Sequence, residues 1–263
     1  MRLVTWNVNS LKARLPRVEE WIDAHAPDVL LLQETKCADA AFPAGEFSRL
    51  GYESAHHGDG RWNGVAIVSR VGLEGVRAGF RDASSAIARE CRVLAADCGG
   101  IRAYSVYVPN GRAVGSPHYD AKLEWLGWLR RELDATCDPA DAVAVGGDFN
   151  VAPADRDVWD ITPFAGLTHV TEPERAALRA ILDFGLEDVV RRFHPDATGP
   201  FTWWDYRGGA FHKGEGMRID LLLVSASLGE RVRAAFVDRE ARKGQGSDRQ
   251  PSDHAPVVLD LAA

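Results

Sequence analysis

Short unbroken runs of apolar residues, each bordered by a polar group with chemistry to offer, constrain this chain more than anything else in it. Residues 29–32 are Val-Leu-Leu-Leu and lead into Gln33 and Glu34. Residues 142–145 lead through Gly146 and Gly147 into Asp148, residues 218–224 carry Asp220 near their start, and residues 257–261 follow Asp253 and His254. Such a run without alternation marks a strand buried on both faces. Sheets covered on both faces need helices, or a second sheet, on each side.

The rest of the chain fits that demand. Residues 2–8 alternate and read as a strand running into Asn7. Further strands are expected at 64–69, 92–97 and 101–108, with Gly99-Gly100 turning a hairpin between the last two. Pro16 can open a helix with Val18, Trp21, Ile22 and His25 on one face. Leu123, Leu126, Leu129 and Leu133 have helical spacing from about Pro117, and 176–184 is a further helix. Residues 201–204 form a short aromatic strand, and 241–252 is a polar, Gly-rich stretch expected to be mobile. Adjacent strand pairs suggest two mixed sheets packed face to face, with helices on the outer faces. No repeat or linker divides the 263 residues, so a single domain over 1–263 is expected.

Composition narrows the function classes. The net charge of −7 argues against a protein that coats DNA, because phosphate binding draws on Lys and Arg. It leaves room for an enzyme that gathers carboxylates around a metal. Cys37, Cys91, Cys98 and Cys137 include no C-x-x-C pair, so reduced thiols are expected, with a Cys91–Cys98 disulfide the minor alternative. No cationic stretch precedes an apolar one at the start, and no apolar run nears the roughly 20 residues of a membrane span. A cytoplasmic protein with no membrane partner is expected.

The polar residues that matter lie at or next to strand ends: Asn7, Glu34, Tyr107, Asp148, Asn150, Asp220, Asp253 and His254. Strand ends are where α/β proteins build sites. Glu34 at the end of a buried strand either reaches solvent or offers a hard oxygen donor to Mg2+. Asp148 and Asn150 point to the same side of an extended chain, although Asp and Asn serve equally well in a turn. Asp220 inside an apolar run is costly unless paired, so it calls for a partner such as a histidine. His254 beside a carboxylate is a candidate proton donor or phosphate contact. Tyr107 alone reads as packing.

Taken together and in order, these segments resemble a known family. Thr5-Trp6-Asn7-Val8-Asn9-Ser10, Leu32-Gln33-Glu34-Thr35-Lys36, Tyr107-Val108-Pro109-Asn110-Gly111 and Gly147-Asp148-Phe149-Asn150 are similar to signatures of the exonuclease III family of abasic-site endonucleases. So are Thr202-Trp203-Trp204-Asp205-Tyr206-Arg207, Met217-Arg218-Ile219-Asp220 and Ser252-Asp253-His254-Ala255-Pro256. The wider superfamily holds pancreatic-type deoxyribonucleases, inositol-phosphate phosphatases, sphingomyelinases and deadenylases. The Gln-Glu-Thr-Lys and Trp-Trp-Asp-Tyr-Arg segments look specific to its DNA-repair branch.

The resemblance implies a four-layer α/β sandwich and a Mg2+-dependent hydrolase, with Mn2+ as a substitute. It implies double-stranded DNA with abasic sites or blocked 3′ ends as the partner, and a monomer. It assigns Glu34, Asn7 and Asp253 to the metal. Asp148 would orient or deprotonate the attacking water, with Asn150 helping to hold it. His254, held by Asp220, would contact the scissile phosphate, and Tyr107 would touch the phosphate or the leaving oxygen. Asn110 resembles a phosphate contact, while Trp203, Met217 and Ile219 would wall the abasic sugar. Met217 stands where some relatives carry a bulky aromatic, so the pocket's shape, and with it the balance of activities, is open. A cationic rim from Lys36, Arg61, Arg112, Lys122, Arg207, Lys213 and Arg218 would meet DNA phosphates. Two rivals stand beside this reading: another phosphoesterase of the superfamily, acting on inositol phosphates or RNA ends, and a DNA-binding module without catalysis.

Overall fold

In a computed structural model, which describes residues 1–244 and 250–262, the apolar runs become strands covered on both faces. The strands are β1 (Arg2–Asn7), β2 (Val29–Gln33), β3 (Glu53–His57), β4 (Val65–Ser69), β5 (Glu74–Ala78), β6 (Val93–Cys98) and β7 (Ile101–Tyr107). They continue as β8 (Val143–Asp148), β9 (Leu186–Asp188), β10 (Trp203–Trp204), β11 (Gly216–Met217), β12 (Asp220–Ser225), β13 (Val232–Val237) and β14 (Val257–Leu261). The α-helices are α1 (Leu11–His25), α2 (Ala44–Arg49), α3 (Pro117–Thr136), α4 (Glu172–Leu182), α5 (Val189–Phe193), α6 (Ala210–Lys213) and α7 (Ala226–Gly229).

The strands form two mixed six-stranded sheets, ordered β13-β14-β1-β2-β4-β3 and β5-β6-β7-β8-β12-β9, and a small β10-β11 ribbon. Only β1·β2 and β7·β8 are parallel among the named pairs; the others are antiparallel. The period of two along a strand explains the unbroken apolar runs. In β2, Leu31 turns into the core between the sheets, with Leu3, Ile67, Ala103 and Leu222. Its neighbours Leu30 and Leu32 turn the other way, onto Trp21 and Ile22 of α1. The second sheet is covered likewise, with Trp125, Leu126 and Leu129 of α3 and Ile181 of α4 packed on Val145, Leu221 and Leu223. Each leucine removed from water contributes roughly 2 kcal/mol. The layers run helix, sheet, sheet, helix, which is the α/β sandwich expected.

Gly146 lets the two sheets approach closely just beneath the ends of β1, β2 and β8. A Cβ there would lie 2.7 Å from Leu31 Cδ1 and 2.7 Å from Leu222 Cδ2.

The differences from the sequence reading have local causes. α1 starts at Leu11, before Pro16, which lies exposed inside it. α4 starts at Glu172 because Thr171 and Glu174 cap each other's backbone, and it ends before Phe184. Arg218 and Ile219 lie between β11 and β12 rather than in a strand. The strands β3 and β5 carry exposed positions and no apolar run, so periodicity does not reveal them, and β13, whose Ala-Ala-Phe-Val stretch is only partly buried, is a strand that the sequence reading does not include. The four cysteines are free thiols, and burial pushes those of Cys91 and Cys98 up to about 11. Of the stretch expected to be mobile, Arg239–Arg242 includes its first residues and is a 3-10 turn, and 245–249 lie outside the described residues.

Candidate active site

The strand order brings six chain segments to one end of the sandwich. Parallel pairing puts Asn7 beside Gln33, so the ends of β1 and β2 carry Asn7 and Glu34 side by side. In the other sheet Tyr107 pairs with Asp148, and Asp148 pairs with Asp220. The segment leading into β14, antiparallel to β1, delivers Asp253 and His254 to the same end.

The side chains then interlock. Asn7 Nδ2 donates to Glu34 Oε1 at 2.8 Å and to Asp148 Oδ2 at 2.9 Å, joining the two sheets. His254 Nδ1 lies 2.8 Å from Asp220 Oδ2, and its Nε2 lies 3.9 Å from Asp148 Oδ2. The Asn150 backbone N–H donates to Asp148 Oδ1 at 2.9 Å, and Asn110 Nδ2 donates to Asn150 Oδ1 at 3.3 Å. Glu34 has a left-handed backbone, φ 50°, as does Asn150, φ 51°. Such strain costs about 1–3 kcal/mol per residue and persists only when neighbours impose it. For Glu34 they do: its carbonyl accepts from Ser10 N at 2.7 Å, and Lys36 N donates to Asn63 O at 3.0 Å.

Burial alone would lower the pKa of His254, but Asp220, with Asp148 and Asp253, outweighs it and carries the imidazole up to about 10. His254 is therefore a cation held by Asp220. Burial, then the charges of Asp220 and Glu34, pushes Asp148 upward against the pull of His254. Burial and the carboxylates of Glu34 and Asp148 hold the Tyr107 hydroxyl well above its ordinary range, so it stays a donor. Arg92 stacks over the Tyr107 ring at 4.7 Å.

Glu34, Asp148 and His254 offer ligand atoms within 4.8 Å of one another, the one such group among the described residues. With His254 protonated, the carboxylates of Glu34 and Asp148 are its usable donors, and hard oxygens suit Mg2+. Asn7 turns its amide NH2 to both carboxylates and acts here as their bridge. Asp253 stands apart from the group, with Oδ1 accepting from Asn9 Nδ2 at 2.9 Å and Oδ2 from Trp203 Nε1 at 3.1 Å.

Trp203 borders the site, half-buried, while Met217 and Ile219 behind it are only 4% and 3% exposed. Trp204 is core. Of the expected cationic rim, Arg112, Arg207 and Lys213 are exposed. Arg61 stacks on exposed Trp62, and Lys36 is tied to Glu34 at 2.7 Å.

Two expected rim residues are corrected. Lys122 is fully buried against Glu174, and its Nζ donates to the carbonyls of Asn150 at 2.7 Å and Asn110 at 3.2 Å. It cannot reach a phosphate; it braces two site loops from behind. Arg218 is also fully buried, between Asp157 and Asp188, each at 2.6 Å. Other contributors carry no role in the sequence reading. Asn9 links Lys36 to Asp253. Thr202 Oγ1 accepts from the backbone of Ile219 and Asp220, both at 3.1 Å. Both lie inside motifs quoted above, which was their only signal.

A protonated imidazole and buried carboxylates gathered at the end of two packed sheets are the equipment of a hydrolase of phosphodiester bonds. The chain belongs to the Endonuclease/Exonuclease/phosphatase family, which it matches over residues 4–254. It is 32% identical to exodeoxyribonuclease III of Haemophilus influenzae, over 98% of this chain and 98% of that protein. Among solved structures it is similar to an AP endonuclease from Archaeoglobus fulgidus, with a TM-score of 0.94, 35% identity and full coverage of both chains. It is also similar to the 3′ phosphatase NExo from Neisseria, solved with a product DNA hairpin, with a TM-score of 0.92, 36% identity and full coverage of both. Among the described residues, no helix is long and apolar enough to cross a membrane.

Proposed function

We propose that this protein is a Mg2+-dependent DNA-repair nuclease that cuts duplex DNA on the 5′ side of abasic sites and trims blocked 3′ ends. The observation that carries the reading is the His254–Asp220 pair, set against Glu34 and Asp148 beside the Trp203 wall. We take it to act as a monomer in the cytoplasm, with Mn2+ able to replace Mg2+.

Glu34, aided by Asp148, would hold the metal, which supplies charge stabilisation at a phosphoryl oxygen when bound. Asp148 orients the attacking water and accepts its proton, and Asn150 fixes the Asp148 carboxylate. As the water oxygen bonds to phosphorus, the P–O3′ bond breaks and leaves a 3′ hydroxyl. Cationic His254 faces the negative charge that builds on the phosphoryl oxygens. The Tyr107 hydroxyl is available to the departing oxygen. Trp203 supports a flipped, baseless sugar, and an intact nucleotide is excluded by size.

The near-complete burial of Met217 and Ile219 favours a second reading, an end-processing nuclease with a narrow sugar pocket. One experiment separates the two. A duplex with a single synthetic abasic site is incubated in Mg2+ beside the undamaged duplex. Rapid cutting 5′ to the lesion supports the first reading. Brisk 3′-end digestion with slow incision supports the second.

A further inference from the structure

Arg218 and Arg242 are both buried arginines, and they are treated in opposite ways. Arg218 has two carboxylates. Arg242 is 7% exposed, and among the described residues no carboxylate pairs with it. Among the described residues, its buried Nε has no hydrogen-bond partner and Nη2 reaches only the Trp204 carbonyl, at 3.5 Å. An unpaired buried charge is costly, and burial accordingly holds the Arg242 pKa below its ordinary value.

Arg242 is not alone. Its guanidinium lies 4.9 Å from the Tyr206 ring centre and 5.2 Å from that of Phe211. Arg239 stacks on the same aromatic group, 4.1 Å from the Phe211 ring centre, and its Nη2 donates to the Phe211 carbonyl at 2.8 Å. Arg17 approaches from α1, donating to the carbonyls of Ala241 and Lys243 at 2.9 and 2.8 Å. Arg239 and Arg242 line a cavity of about 550 Å3 with Tyr206, Phe211 and His212. Asp205 is also at its rim but turns Oδ1 to the Arg207 backbone N–H at 2.8 Å. Phe211 and Trp204 lie on the opposite side of the β10 ribbon from Trp203, in a separate apolar cluster. This cavity is therefore not the abasic pocket.

We infer that the Arg239–Arg242 cavity is a second phosphate-binding site, separate from the catalytic centre. Aromatic stacking fixes both guanidiniums as planar donors, the geometry that suits two oxygens of one phosphate. The phosphate comes either from free anions in solution or from a DNA backbone that continues past the ribbon. The second source rests on the nuclease reading above; the first does not.

The test uses the full-length protein in EDTA, on the wild type and on Arg242→Met and Arg239→Met. Melting is followed against inorganic phosphate, and repeated in a His254→Ala background so that phosphate at the catalytic centre is not counted. A hundred-fold excess over Kd should raise the melting temperature of the wild type and of His254→Ala by roughly 5–10 °C. Arg242→Met should lose that shift while melting no lower than the wild type in phosphate-free buffer, because methionine removes an unpaired charge. Undamaged duplex binding is then measured against salt. A salt slope smaller by about 1 in Arg242→Met identifies the DNA backbone as the source. An unchanged slope with the phosphate shift lost identifies free phosphate. If Arg242→Met and Arg239→Met keep the wild-type phosphate shift and salt slope, the site does not exist. Failure of the abasic-incision experiment would leave the melting arm untouched, so the two readings fail separately.

Discussion

Asp220 stands directly opposite Asp148 in the antiparallel pairing of β12 with β8, yet only Asp220 holds the imidazole of His254 within hydrogen-bonding distance. Two buried carboxylates on adjacent strands repel, and the imidazolium between them resolves the conflict asymmetrically. Asp220 anchors the cation; Asp148 keeps its oxygens for Asn7 Nδ2 and the Asn150 backbone N–H. Replacing His254 by Gln, whose amide can still meet Asp220, should lower kcat for abasic incision by about 10²–10⁴-fold. Single-turnover kinetics on folded protein checks this, and a rate within a few-fold of wild type would remove His254 from the chemistry. His254→Ala is a poorer probe of mechanism, because it strands the Asp220 carboxylate, which is fully buried.

The metal prediction follows from Glu34. EDTA should abolish cleavage and Mg2+ restore it, and Glu34→Gln should need far more Mg2+. Lys36 Nζ sits 2.7 Å from Glu34 Oε2 and competes with a cation for it. Lys36→Met should therefore lower the half-saturating Mg2+ concentration by up to roughly tenfold. A Mg2+ titration of cleavage reads both, and full activity in chelator would refute the metal role.

Trp203 has two functions that substitution can separate. Its Nε1 holds Asp253 at 3.1 Å, while its ring borders the proposed sugar pocket. Trp203→Ala should slow abasic incision more than 3′-phosphate removal, and Trp203→Phe should restore most of the difference. Equal losses on both substrates, measured side by side, would leave Trp203 a packing residue.

Arg218 and Lys122 should matter for stability rather than for DNA. Arg218→Met takes from Asp188 its guanidinium partner, leaves Asp157 with Arg191 as its cation, and should cost about 3–5 kcal/mol. Urea unfolding measures this. An unchanged midpoint would mean that the buried triad is dispensable, and a changed salt dependence of DNA binding would return Arg218 to the interface.

Acid should weaken the fold through His169. Its Nδ1–H donates to the Asn150 carbonyl at 2.6 Å. Burial, reinforced by Lys122, holds its pKa down to about 4. An unfolded histidine titrates near about 6.5, so between these values the unfolded chain binds the extra proton and stability falls as pH drops. The loss is on the order of 3 kcal/mol from pH 7 to pH 4. Glu174, lowered to about 2 because Lys122 overcomes its burial, extends the loss below about pH 4.5. His169→Asn, which tolerates the backbone φ of 81°, should flatten the curve between pH 6.5 and 4. Denaturant titrations at several pH values compare the two proteins, and identical slopes would exclude His169 as the source.

The residues that meet at the strand ends are legible because most of them end or begin an apolar run, so burial and chemistry stand side by side. Asp220 shows it best: a carboxylate inside Arg-Ile-Asp-Leu-Leu-Leu demanded a partner, and His254 is that partner. Lys122 carries the signal of a buried residue in its position, not in its charge. It falls on the stripe Tyr119, Lys122, Leu126, Leu129 and Leu133 that α3 buries. Arg218 offered no such clue, since Asp157 and Asp188 lie far away in sequence. The sheet edges β3 and β5 were also hidden, because half-exposed strands need no apolar run.

β1 pairs with β2 on one side and β14 on the other, and the site takes residues from Asn7 to His254. A polypeptide made from its N-terminus therefore carries Glu34 some two hundred residues before His254, the imidazole that completes the cluster. Until His254 arrives, Asp220 has no cation to hold, and Asp148 faces the charges of Asp220 and Glu34 without the opposing pull of the imidazole. The cluster of Glu34, Asp148 and His254 thus cannot assemble before both sheets are complete.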